Sequence, residues 1–417
     1  MTLPYQGVLI LDFTQILQGP SGTQTLADFG AEVIKVERID TGDIGRAQVP
    51  QVQGMSYHWM ANNRNKRSLS LDLRSPDARE IIYRIAEQSD IAASNFRPGV
   101  MDRLGFGYQR LREINPRIIW AGASGYGMSG PYENRIGHDL LAQAMGGLMA
   151  LTGQRDGPPM PSGTWIADFT GALLFAQGMM VALAAREQTG RGQIVDSNIL
   201  DGAIASHQQE NTVALNTGRK IQRPLPGSGH TDRGVLYAAF ECKDNRYFAL
   251  IGEFTENALD RVSKALDIHP SLSGDPRWKD LELGNDTSWV LRPVLEKAFK
   301  GFTRDELSKR FEEQGLAPGP VYELDEVFQD PQVLYNEMVV ETEHPAYGPL
   351  KLTGFPVKLS ETPASLRRPP PLVGEHNEEI LREYGYSDDR IRALQKGGVV
   401  GSENPKRSEG AGPARPS

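Results

Sequence analysis

The chain has 417 residues, 39% of them hydrophobic and 24% charged, with 53 acidic against 45 basic side chains and a net charge of −8. That balance suits a soluble globular protein of two or three domains and argues against nucleic acid or an anionic membrane as its main partner. The single cysteine, Cys242, excludes an intrachain disulfide and speaks against a cysteine-built metal site; it sits in the strand–turn–strand pattern YAAFECKDNRYFAL.

In chain order, GVLILDF (7–13) is the continuous apolar run of a buried parallel strand. GPSGTQTLADFG (19–30) carries Pro near its start and Gly at its end, the polarity of a short helix, and AEVIKVER (31–38) is a second strand. The alternation continues. RSLSLDL (67–73) reads as a strand, and SPDAREIIYRIAEQS (75–89) as a helix with Ser75 as its cap and Ile81, Ile82 and Ile85 on one face. Strand DIAASNF (90–96), helix PGVMDRLGFGYQRLREIN (98–115) and strand RIIWAGASGYG (117–127) follow. Strands alternating with helices predict an α/β fold, a Rossmann-like parallel sheet with right-handed crossovers. The longest apolar run, about 14 residues from Ala172 to Ala185, is interrupted by Gln177 and Gly178 and is short for a membrane span. The N-terminus shows no signal-peptide pattern, so a cytoplasmic location is expected. Past about residue 215 the pattern changes to a Gly/Pro-rich loop, a hairpin turning at Lys243-Asp244-Asn245, and further helices. The expected division is a large domain over 1–215, a small α+β domain over 216–330, a return segment over 331–399 that completes the large domain, and a disordered tail over 400–417.

The first βα turn lacks the G-x-G-x-x-G of dinucleotide binding, and Glu37 at the end of the second strand reads as an ordinary surface acid. The seven histidines show no metal-ligand spacing, and no metal site is expected. The basic residues are scattered apart from the group Arg64, Lys66 and Arg67. Two acids stand before apolar helices. Asp139 follows His138 and precedes Leu140 and Leu141; Asp168 precedes Phe169 and the run through Leu183. Each fits a helix cap, and Asp168 also fits a functional carboxylate beside a desolvated pocket. From the local residues alone both readings stand.

The blocks GVLILDFTQILQGPSGTQTLADFGAEVIKVER, NRNKRSLSLDLRSPDARE, SDIAASNFRPGVMDRLGFGYQRLREINPRIIWAGASGYGMSGPY, GHDLLAQAMGGLMALTG, REQTGRGQIVDSNILD and PLVGEHNEEILREYGYS resemble the class III coenzyme A transferase family. This is the formyl-CoA transferase and carnitine CoA-transferase group, which includes the alpha-methylacyl-CoA racemases. The resemblance, over about residues 5–398, implies a CoA-transferase that moves CoA between an acyl-CoA and a small carboxylic acid. CoA would come as part of the substrate, with no other cofactor, and two chains would interlock as a homodimer. Asp168 falls on the position of the acyl-accepting aspartate. Gly227, Ser228 and Gly229 fall near the family's glycine loop, an oxyanion or lid element, though without its run of consecutive glycines. Arg38, Leu71, Asn95, Phe96, Arg97 and Arg103 match CoA-contacting segments. Leu17 stands where the oxalate-handling enzymes have a glutamine, with Gln18 beside it, which points to acids other than oxalate. The racemase alternative would use His138 and Asp168 as an acid/base pair, with Asp139 adjacent.

Overall fold

The computed structural model describes residues 2–39, 41–52, 54–278 and 281–401. The described residues form two compact units, one of residues 2–146, 164–206 and 331–401, the other of 147–163 and 207–330.

In the first unit, strands β1 (Leu9–Asp12), β2 (Glu32–Arg38), β3 (Lys66–Leu71), β4 (Ile91–Ser94), β5 (Ile119–Ser124) and β6 (Ile194–Asn198) form one parallel sheet in the order β3-β2-β1-β4-β5-β6. Successive side chains on a strand face opposite sides, so these apolar runs feed two cores. Leu11, Ile34, Leu69 and Ala92 pack beneath Ile81, Ile82 and Ile85 of helix α2 (Pro76–Ala86), which Pro76 starts. Ile10, Val33, Ile91 and Ile119 face the other way, onto Leu26 of α1 (Gln18–Asp28) and onto Phe175 and Met179. The strand order reverses between β1 and β4, and ligands of such sheets bind in the crevice beyond the carboxyl ends of the strands at that point.

Three further helices complete the site's frame: α3 (Asp139–Met145), α4 (Ile166–Thr189) and α5 (Ile199–Ala205). α4 is longer than the apolar run that announced it, and by length and composition alone it could cross a membrane. One of its faces is core. Phe175 is fully buried against α1, where a Cβ on Gly22 would lie 2.7 Å from the ring, so the two helices touch through a residue without a side chain. The helix expected over 98–115 is two helices, Val100–Leu104 and Tyr108–Ile114. They part at Gly105, whose φ of +90° ends the first.

The sequence stretch 64–67 is no basic patch. Arg64 pairs with Asp28 at 2.7 Å, Lys66 with Asp12 at 3.1 Å, and Arg67 with Glu32, Glu379 and Glu383, all three cations being buried. Glu37 is likewise no surface acid. It is 2% exposed, ion-paired to Arg46 at 2.7 Å and accepting from Ser68 Oγ. These charges stand among apolar strand residues because each found a partner, the condition on which burial of charge is tolerated.

Residues 365–401 run back along the edge strand β3. Asn65 Oδ1 accepts from the N–H groups of Arg367 and Arg368, Ser70 N–H donates to Asn377 Oδ1 at 2.8 Å, and Gly401 N–H donates to Ser70 O at 3.1 Å. The unpaired edge of the sheet is thereby covered. Val400 and Gly401 belong to the fold, which corrects the expectation of a tail starting at 400. The remainder of that expected tail lies outside the described residues.

The second unit holds the hairpin β7 (Tyr237–Glu241) and β8 (Tyr247–Ile251), turned at Asn245 with φ +58° as expected of an Asn in a tight turn. Its core is aromatic, with Phe240 stacked on Phe299 at 4.4 Å and Phe248 beside Phe311.

Candidate active site

The first loop leaves β1 at the switch point. Asp12, fully buried, takes N–H and Oγ hydrogen bonds from Thr14 as well as the Lys66 ion pair. Burial would raise its pKa, but the neighbouring Lys66 and Lys35 outweigh that and hold it below the usual value. The loop enters α1 at Leu17 and Gln18, which are 9% and 6% exposed. The Gln18 amide packs against Gly171 of α4, where a Cβ would lie 3.0 Å from Nε2, and that nitrogen has no hydrogen-bond partner among the described residues.

Gly171 is one turn beyond Asp168 on α4. Asp168 does not cap its helix. The N-cap is Trp165, and Asp168 is the third residue of α4. The capping is done from elsewhere in the chain. Asp139 Oδ1 accepts from the N–H groups of Ala167 at 2.8 Å and of Asp168 at 3.1 Å, and Asp139 Oδ2 accepts from Gln143 Nε2. Asp139 thus caps α4 and not α3, whose N-cap is His138. With those N–H groups already taken, the Asp168 carboxylate has no hydrogen-bond or ion-pair partner among the described residues. Burial, and then the negative charge of Asp139, push its pKa up to about 7 from the ordinary 3.8. When ionised, a half-buried carboxylate with no ion-pair partner is a better nucleophile than a fully solvated or salt-bridged one.

The other expected residues divide. Arg38 ends β2 and Arg97 follows β4; with Arg103 they are exposed and free of ion pairs among the described residues, as a phosphate-binding set needs to be. Phe96 and Arg97 line a shallow cleft with Trp120, Ser124 and Met128. Leu71 is different. It is 1% exposed and packs in the sheet's core, so its side chain is not offered to a ligand. The Asn95 side chain is engaged with Gln15, accepting from its N–H and donating to its C=O, both at 2.7 Å. His138 is exposed, beside the buried Asp139. Gly227, Ser228 and Gly229 belong to the second unit, where Ala239 N–H donates to Gly227 O and Gly229 N–H to Tyr237 O, so the segment runs paired with β7.

Sequence reasoning did not find the buried network of Asp12, Lys35, Glu37, Asp43 and Lys66, nor Gln143 holding Asp139. The signal for the network was Lys35 inside one apolar strand and Lys66 at the start of another strand. For Gln143 it was the spacing of one helical turn from Asp139.

The sequence model of CoA-transferase family III matches residues 5–377. The chain belongs to that family. It is 36% identical over 401 residues to human succinyl-CoA:glutarate CoA-transferase, covering 95% of this chain and 90% of the relative. It is 33% identical over 438 residues to formyl-CoA:oxalate CoA-transferase of Rhodopseudomonas palustris, covering 98% and 100%. Among solved structures, a CaiB/BaiF family protein from Brucella suis superposes with a TM-score of 0.82 at 30% identity, covering 92% of this chain and 100% of that one. The enzyme is a family III CoA-transferase, and with relatives named as transferases the racemase alternative is not favoured.

Proposed function

We propose that this family III enzyme transfers CoA between an acyl-CoA and a short carboxylic acid through Asp168. The observation that carries the reading is the Asp168 carboxylate, half-buried and unpaired among the described residues on the first turn of α4. The carboxylate attacks the thioester carbonyl, giving a mixed anhydride and releasing CoA thiolate. The thiolate attacks the aspartyl carbonyl, the first acid leaves, and Asp168 carries CoA as a thioester. An acceptor carboxylate then attacks that thioester, forming a new anhydride and freeing thiolate. Attack of the thiolate on the acceptor's acyl carbon gives the new acyl-CoA and regenerates Asp168. Arg38, Arg97 and Arg103 are assigned to the CoA phosphates, and Leu17 and Gln18 to the acyl group. CoA arrives with the substrate, no other cofactor is called for, and the cytoplasm is the proposed location. Since the named relatives use succinyl-CoA with glutarate and formyl-CoA with oxalate, and Leu17 departs from the oxalate pattern, succinyl-CoA is the first donor to test.

The same reading includes a homodimer. Trp165, the N-cap of α4, and Phe169 and Leu173 within it recur at helical spacing and stand exposed, and Leu140, Leu141 and Met145 are exposed on α3. A patch of this kind on a soluble enzyme marks a protein interface, and a second copy is its proposed occupant.

The deciding experiment incubates the enzyme with succinyl-CoA, quenches it and maps the Asp168 peptide by mass spectrometry. A CoA adduct on Asp168, converted to a hydroxamate by hydroxylamine and absent in Asp168→Asn, is expected. CoA should also appear on an added acid. Deuterium entering C2 of a 2-methylacyl-CoA in D2O with no transfer to any acid would sink the reading.

A further inference from the structure

We infer that Asn95 and Asp43 are positioning residues that hold the first loop in a strained shape, and that this strain sets the acid-binding side of the site. The inference rests on the transferase reading above. Ile16 has φ +68°, a left-handed backbone that a β-branched residue rarely adopts. Such a conformation persists only where the surroundings over-determine it, and here three contacts do so. Asn95, across the switch point, grips both the N–H and the C=O of Gln15 at 2.7 Å. Asp43 Oδ1 accepts from Ile16 N–H at 3.1 Å and from Gly45 N–H at 2.7 Å, while its Oδ2 pairs with buried Lys35 at 3.1 Å. Lys35 Nζ in turn donates to Thr14 O. No capping side chain fixes the start of α1, whose N-cap is Leu17. The place of Gln18 against Gly171, one turn from Asp168, is therefore set by the clamped turn before it. Released, Ile16 would return to a right-handed or extended backbone and carry Leu17 and Gln18 off the α4 surface. On this account the Asn95 side chain acts through Gln15 and does not touch CoA.

Two variants and a suppressor test it. Asn95→Ala should speed amide hydrogen exchange at Gln15 and Ile16 and lower kcat/KM for the acceptor acid by about tenfold or more, with the Kd for free CoA unchanged. Asp43→Asn, which discharges the partner of Lys35, should do the same in smaller measure. Ile16→Gly makes the left-handed turn unstrained. Added to Asn95→Ala, it should restore most of the lost kcat/KM. A direct CoA contact by Asn95 predicts weaker binding of free CoA that Ile16→Gly leaves untouched, and that result overturns the proposal. So does a fall in Tm with the exchange of Gln15 and Ile16 unaltered. If the unmodified enzyme transfers CoA to no acid, the transferase reading fails, while the exchange measurements still decide whether the clamp exists.

Discussion

Asp168 and Asp139 show how one helix terminus can serve two acids. The N–H groups at the start of α4 would stabilise whichever carboxylate reached them, and Asp139 has them. Asp168 is left to bear the cost of burial and the repulsion of Asp139, and its pKa rises to about 7. Two consequences follow. If the ionised carboxylate is the nucleophile, kcat/KM should climb with pH to a plateau above about 7. Asp139→Asn keeps an acceptor for the cap but removes the charge, so it should move that edge to lower pH. For stability, the native state holds the Asp168 proton over a range where the unfolded chain has released it, so stability falls as pH rises from 3.8 through about 7. Asp168→Asn, which cannot ionise, should match the parent's Tm below that window and exceed it above. The gain should be on the order of 1–2 kcal/mol after allowance for partial solvent exposure. Equal Tm values for the two proteins at pH 8 would contradict the desolvation argument.

At the scale of elements, α4 carries both the proposed nucleophile and the proposed interface. Ala172, Phe175, Ala176 and Met179 enter the core, while Phe169 and Leu173 stand in solvent. Leu173→Glu should therefore leave the fold intact and convert a dimer to a monomer in sedimentation at micromolar concentration. A parent protein that sediments as a monomer would remove the basis for the interface. The helix also shows where sequence reading stops. The alternation of strands and helices was legible because period and punctuation are local properties, and the hairpin at Asn245 was legible for the same reason. The role of Asp168 was not. A cap and a free carboxylate have the same neighbours in sequence, and what separates them is Asp139, 29 residues away. Glu37 was misread as surface, and the pairing of Arg64, Lys66 and Arg67 was not foreseen, for the same cause, since their partners Arg46, Asp28, Asp12 and Glu379 become neighbours only in the folded sheet. The break at Gly105 was missed because a single glycine inside a helical pattern does not declare its φ.

At the scale of the molecule, the first unit is built from three separate stretches of chain, and Asn377 is the principal stitch between the last of them and β3. It is fully buried, accepts from Ser70 N–H, and donates to Ser70 Oγ and Gly401 O. Asn377→Ala leaves a buried N–H and a buried C=O without partners, and should cost about 2–3 kcal/mol in urea unfolding. A loss below about 0.5 kcal/mol would mean that residues 365–401 cover the sheet edge without contributing to its stability.

The stitching of β3 to residues 365–401 also bears on the order of events during synthesis. A ribosome releases residues 66–71 some three hundred residues before the segment that covers them. Through that interval the strand has an open edge and nothing to close it, a condition that favours pairing with another nascent chain. The second unit, whose last residue is Asp330, can finish folding while the first is still waiting for its final segment. The unit that holds Asp168 is thus the last part of the enzyme to be completed, although most of its sheet is among the first parts to be made.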